Sequence, residues 1–329
     1  MSNSPAAKSE KTLNEAFSSL STRRRYEVWF LRFGLADGGG AWWFRYLLVN
    51  PGRGGCPGHP AGMPVQVWAT WFPKDGRPQS FIQGFSLAGL ELSARGRDPV
   101  HFRIGNNEMQ QNACRGALEV GRHSISWDLR FHSTFRVTLS SKGWIGFSRT
   151  PHSDAVFSGQ IMLDGRRFHG DPLGFGVQGH NCGYRHRKFW RWAHAYFLRP
   201  DGAPSTLEVL VYEMPFGLVF RKVVLWHNAE QRVFRHLKES RSDQENLRWD
   251  FRCVTRDGFE LEVTLDGRGA SQHRLPYLKT DCKGSLEVMN NSLAKATLCL
   301  KPRGGPVEKL ETTTGAVLEM GSAGDQREV

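Results

Sequence analysis

From Tyr26 onward the chain is a succession of short apolar runs with two-residue alternation, cut apart by Gly, Pro, Asn and Asp. Such runs bury one face of a pleated strand and do not hold the 3.6-residue period of a helix. In the first half residues 26–33, 42–49, 65–72, 78–86, 100–104, 113–120 and 124–129 read as strands. In the second half residues 189–198, 206–213, 218–227, 247–254, 259–265, 285–290, 296–300 and 316–320 do the same. Asp-Gly turn signals at Asp75-Gly76, Asp201-Gly202 and Asp257-Gly258 close several of them, as hairpins require. No strand–helix alternation suggests a parallel sheet. The pattern predicts an all-β protein of two antiparallel barrels or sandwiches joined near residues 150–175. On this reading 1–22 is a polar tail with a short helix at 10–20, 23–165 the first barrel, 166–322 the second, and 323–329 a tail.

A chain of 329 residues, 39% hydrophobic and 23% charged, can bury two such cores. No apolar run approaches the roughly 20 residues that span a bilayer. Met1 to Leu20 lacks the apolar core of a secretory signal, so a cytoplasmic location is expected. The six cysteines form no C-x-x-C pair and read as reduced thiols, several of them buried. The net charge of +12 is carried mostly by scattered arginines. It would suit a loose contact with the anionic inner face of a membrane, as a peripheral scaffold would make. No nucleic-acid motif accompanies it, and no nucleic-acid partner is expected.

The densest chemistry lies between Gly174 and His194. Gly174, Gly176, Gly179 and Gly183 flank the pair His180-Asn181, and Trp190 and Trp192 follow on one strand face with His194. Glycines inside a strand mark a bulge or a close backbone approach. A polar pair leading into indoles reads as the rim of an apolar pocket, with His180 as acid or head-group anchor and Asn181 orienting it. Trp42 and Trp68 are further candidates to line that pocket, since indoles favour apolar ligands and can steady a cation. Glu208 and Glu213 are an odd number of positions apart, so one faces inward at most, and a solvated outer face is the simpler reading for either. Tyr212 shares the face of Glu208. His180, Cys182, His186 and His194 are zinc-ligand types without the usual spacing, so no metal is expected. Gly174-x-Gly176-x-x-Gly179 leads into strand rather than helix, which argues against a dinucleotide fingerprint, and no cofactor is expected.

The stretch Gly176-Val-Gln-Gly-His-Asn-Cys-Gly183 with Trp190-x-Trp192 resembles the central signature of AttH-type proteins. That two-domain, lipocalin-like family includes carotenoid 1,2-hydratase (hydroxyneurosporene synthase), and tocopherol cyclase is similar at a greater distance. Trp42-Trp43-x-x-Tyr46, Val65-x-Val-Trp68 and Gly315-Ala-Val-Leu-Glu319 add to the resemblance. It implies two packed calycin-type barrels and an apolar ligand, an isoprenoid or other lipid, near their interface. It also implies an alternative activity, hydration or cyclisation at a carbon–carbon double bond, with His180 or Glu213 as proton donor. The chain departs from the hydratase pattern twice. Gly179 stands where those enzymes carry an acid, and Cys182 where they carry a tryptophan.

Overall fold

The computed structural model describes residues 25–50, 63–92, 101–141 and 146–322. The terminal tails of the sequence reading lie outside the described residues. The first sheet is built from β1 (Arg25–Leu35), β2 (Gly40–Asn50), β3 (Val65–Pro73), β4 (Gln79–Phe85), β5 (Leu90–Leu92), β6 (His101–Ile104), β7 (Asn107–Gln110), β8 (Ala113–Val120), β9 (His123–His132), β10 (Val137–Ser141), β11 (Gly146–Leu163) and β12 (Arg166–Gly183). The second comprises β13 (Phe189–Leu198), β14 (Pro204–Glu213), β15 (Val219–His227), β16 (Glu230–Phe234), β17 (Leu237–Asp243), β18 (Arg248–Val254), β19 (Glu260–Asp266), β20 (His273–Leu278), β21 (Ser285–Lys301) and β22 (Glu308–Ser322). Strand neighbours run β4-β3-β2-β1-β12-β11-β9-β8-β7-β6-β5 in one sheet and β16-β15-β14-β13-β22-β21-β19-β18-β17 in the other. β4 lies against β8, so the first sheet nearly closes into a barrel. No helix among the described residues is long and apolar enough to cross a membrane.

The expected all-β, two-unit architecture is therefore present, but the boundary falls elsewhere. β12 pairs with β1 along its full motif, so Gly174 to Gly183 closes the first barrel rather than opening the second. The division expected at 165/166 is a hairpin turn, in which Asp164 and Gly165 both have positive φ (50° and 82°), joining β11 to β12. Asp-Gly favours that conformation. The change of barrel comes after Gly183.

Each barrel has its own apolar core, and a third core lies between them. The interior of the first holds Trp29, Phe33, Trp42 and Phe157; that of the second holds Phe197, Trp249 and Leu298. The wall between them contains Phe30, Trp43, Trp68, Trp192, Tyr212 and Tyr277. The strands of this wall are covered on both faces, and their alternation assigns each side chain to a barrel interior or to the interface.

The two barrels repeat one topology. In each, a four-strand meander is closed by the last strand returning beside the first. Even the irregularities match. Between the pairs His152↔Gln178 and Ala155↔Gly176, β11 sets two residues, Ser153 and Asp154, against the single Val177 of β12. Between Asn291↔Leu318 and Ala294↔Ala316, β21 carries Ser292 and Leu293. This register equates Arg32 with His194, Phe30 with Trp192, Arg45 with Leu210 and Gly179 with Glu319.

Equivalent side chains bolt the barrels together. Arg32 is fully buried, and its Nη1 donates to the Gly315 carbonyl (2.9 Å) while Nη2 donates to Thr314 and Ala316 (2.8 Å each) and to Ser292. Burial lowers its pKa to about 9, which leaves it charged at neutral pH. From the other side, His194 Nε2 donates to the Ser153 carbonyl (2.7 Å).

Cys114, Cys182 and Cys253 are buried free thiols and Cys299 is a half-buried one, but Cys282 is disulfide-bonded. That corrects the reading of uniformly reduced cysteines. A structural disulfide persists where the surroundings are oxidising.

Candidate functional site

A pocket opens where the two barrels meet, with about 930 Å3 of empty space including its mouth. β1 contributes Tyr26, Val28 and Phe30; β2 contributes Trp43 and Arg45; β12 contributes Asn181 and Gly183. From the second barrel come Trp190 and Trp192 of β13, Leu210 and Tyr212 of β14, Tyr277 of β20 and Glu319 of β22. The connection between the barrels adds Arg185, His186 and Arg187 at the rim.

Aromatic rings make the walls. Tyr26 stacks on His186 (4.5 Å, 17°), His186 on Trp190 (5.7 Å, 25°) and Trp190 on Tyr277 (6.2 Å, 25°). Phe30 meets the edge of its counterpart Trp192 at 5.2 Å. Burial, with the Arg45 charge second, pushes the His186 pKa down to about 4, so the ring is a neutral stacking element at pH 7. Its Nε2 donates to the Leu278 carbonyl (3.2 Å). Burial likewise raises the Tyr26 phenol to about 12, which keeps it protonated.

Two charged side chains sit among these rings. The Glu319 carboxyl accepts from Trp190 Nε1 (2.9 Å), Tyr277 Oη (2.6 Å) and Asn290 Nδ2 (3.4 Å). The Arg45 guanidinium lies over the rings of Tyr277 (3.9 Å), Trp68 (4.7 Å) and Trp43 (5.5 Å). One layer below, Glu208 is almost fully buried and accepts from Thr150 Oγ1, Ser153 Oγ (3.4 Å) and Trp192 Nε1 (3.5 Å). Desolvation raises its carboxyl to about 7. The simpler reading of Glu208 as a solvated residue is thereby corrected.

The residues singled out in the sequence divide between these surroundings. Asn181, Trp190, Trp192 and Tyr212 line the pocket. His180 does not. Adjacent residues of a strand face opposite ways, so while Asn181 meets the pocket, His180 enters the first barrel, with Nε2 2.8 Å from Glu27 Oε1 and its ring stacked on Trp29 (4.5 Å). Asn181 therefore cannot orient His180. His194 is an interface bolt whose pKa burial lowers to about 3, outside the pocket lining. Trp42 packs on Trp71 (4.9 Å) inside the first barrel, and Trp68 lies under Arg45 without lining the pocket. Glu213 is half-buried at the end of β14, 3.9 Å from Lys188, and does not line the pocket either. Among the described residues no group of three or more His, Cys, Asp or Glu side chains is arranged to hold a metal ion.

The glycines of the motif have a packing cause. A Cβ at Gly176 would meet the Arg32 carbonyl, and one at Gly179 would meet the Phe30 ring. An acid at 179 is thus excluded unless Phe30 moves. Sequence reasoning missed Arg45, Glu319, His186 and Tyr277 as pocket residues. For the first two a signal was present: each is a lone charge inside an apolar strand run, 42–49 and 315–320.

No protein-family model matches the chain, and none of the curated proteins matches it. Solved structures do. Kievitone hydratase from Nectria haematococca superposes with a TM-score of 0.54 at 9% identity, covering 95% of this chain and 94% of that one. CghA superposes with a TM-score of 0.57 at 11% identity, over 91% and 88%. An AttH-assigned protein of Nitrosomonas europaea gives 0.48 at 13% identity, over 90% and 92%. In fold, over nearly its whole length, the chain is similar to kievitone hydratase and to CghA.

Proposed function

We propose that the chain binds an apolar molecule with a ring system or polyene in the pocket between its barrels. One observation carries this reading: aromatic side chains from both barrels converge on an open cavity instead of filling it. Trp190 and Trp192 supply much of the second barrel's wall, and removing an indole forfeits about 1.5–3 kcal/mol of burial. Titration of intrinsic tryptophan fluorescence with all-trans-retinol and related polyenes should give saturable quenching. The Trp190→Ala, Trp192→Ala double variant should bind at least about tenfold more weakly, equivalent to about 1.4 kcal/mol. Absence of saturable binding by any polyene or polycyclic aromatic would overturn the proposal.

A second reading, proton transfer at a carbon–carbon double bond, is favoured by Glu319. Its carboxyl lies at the wall of an aromatic pocket, beside indoles able to steady a developing cation. Turnover of a polyene panel in deuterated water should label the product at carbon. Glu319→Gln should lower that rate at least about 100-fold. An unlabelled product, or an unchanged rate in the variant, would remove this second reading.

A further inference from the structure

Arg45 is 5% exposed, yet it makes no hydrogen bond or ion pair with any described residue. Its charge meets only three aromatic faces, and its Nη1 is wholly buried without a partner. Removing an ammonium- or guanidinium-type charge from water costs several kcal/mol, and ring faces return about 0.5–2 kcal/mol each. Arg32, equally buried, shows the usual solution: four carbonyls take its protons. Two more unsatisfied polar atoms lie on the same pocket wall, Trp43 Nε1 and Asn181 Oδ1. Glu319 is committed to Trp190, Tyr277 and Asn290 and forms no ion pair with Arg45. A hydrocarbon in this pocket would leave a buried guanidinium unanswered.

We infer that the ligand is an amphipathic acid: an apolar polyene or ring system ending in an anionic oxygen, a carboxylate, enolate or phenolate, that pairs with Arg45. The three rings hold the guanidinium flat while its donor edge takes the oxygens, the geometry in which arginine recognises planar anions. Trp43 Nε1, a donor without a partner on the same wall, completes the polar end of the pocket, and the stack from Tyr26 to Tyr277 covers the apolar remainder. This deepens the binding reading above and rests on it.

All-trans-retinoic acid and methyl retinoate share one skeleton and differ in the charge. Tryptophan quenching should show the acid binding at least about tenfold more tightly than the ester to the wild-type chain at pH 7.5. Arg45→Met should abolish that preference by weakening the acid while leaving the ester within about threefold. Arg45→Lys, which keeps the charge without the planar stack, should retain part of it, and so separates lost charge from lost folding. Equal affinity for acid and ester in the wild type overturns the anionic-ligand inference while leaving the apolar pocket standing. A preference that survives in Arg45→Met overturns the assignment to Arg45. Failure of both probes to bind the wild type counts against the pocket reading itself.

Discussion

The two barrels share strand order, register and even the two-residue bulge facing the partner, yet their interface positions carry different chemistry. Where the first barrel has Arg45, the second has Leu210; where the second has Glu319, the first has Gly179. Phe30 leans across Gly179, and Trp190 leans across Gly321, two positions further along the equivalent strand. The Trp190 indole stands beside Glu319 and donates to it, and both border the cavity. The halves differ at a few positions of a shared frame, one half supplying the cation and the other the acid and the indoles, and the pocket lies between them.

The bolts offer the largest test of that divergence. Arg32 and His194 occupy equivalent positions and reach equivalent bulges, but one answers four carbonyls and the other answers one. Arg32→Met should destabilise the fold by about 3–5 kcal/mol, since buried acceptors lose a charged donor together. His194→Ala should cost about 1–3 kcal/mol for one carbonyl left unmet and a small cavity. Urea denaturation of the two variants checks the ranking. Equal losses would mean that the frame, not the bolt chemistry, holds the barrels together.

Much of this frame is legible in the sequence because each strand interior repeats with period two and turn residues punctuate it. The strand expected at 189–198 is β13, and that at 113–120 is β8. The long hairpin of β11 and β12 was not legible, since Pro172, five glycines of β12 and several charges obscure its alternation. Pocket residues with an aromatic signature, Trp190, Trp192 and Tyr212, were accessible to sequence reasoning. The facing of His180 was not. Both sides of β12 are covered, one by the barrel core and one by the other barrel, so no polar–apolar contrast says which residue of His180-Asn181 enters which space. Arg45 and Glu319 needed the pairing of strands distant in sequence before their shared pocket could be seen.

The acids sharpen the contrast through pH. Glu208 lies opposite His194 on the neighbouring strand, where the first barrel places Trp43 opposite Arg32. Desolvation raises the Glu208 carboxyl from 4.5 to about 7. A raised carboxyl pKa means that the folded state prefers the neutral acid. That contribution is complete below pH about 4.5 and lost as pH rises through about 7. Relative to Glu208→Gln, the wild-type chain should lose up to about 3 kcal/mol across that interval, at 1.36 kcal/mol per pKa unit. Parallel denaturation curves at pH 4 and pH 8 measure it, and a pH-independent difference between the two proteins would show that the carboxyl is not desolvated in solution.

The smallest expected effects separate stability from binding at the two glycines. A Cβ at Gly179 meets the Phe30 ring, and Phe30, although it borders the pocket, packs edge-on against Trp192, so the ring moves only by pushing on that indole. Gly179→Ala should therefore cost about 1–3 kcal/mol by overpacking. Adding Phe30→Leu should return part of that loss, so that the double-mutant cycle shows a coupling of about 0.5–3 kcal/mol. At Gly321 a Cβ meets the Trp190 ring, but that ring borders the open pocket and can swing into it. Gly321→Ala should cost less stability than Gly179→Ala and more affinity, because the displaced indole both occupies the cavity and breaks its bond to Glu319. Denaturation and polyene titration on the same two variants give both numbers. If Gly179→Ala harms binding more than Gly321→Ala does, the ligand sits on the first barrel's side of the wall, and the division of labour between the halves is reversed.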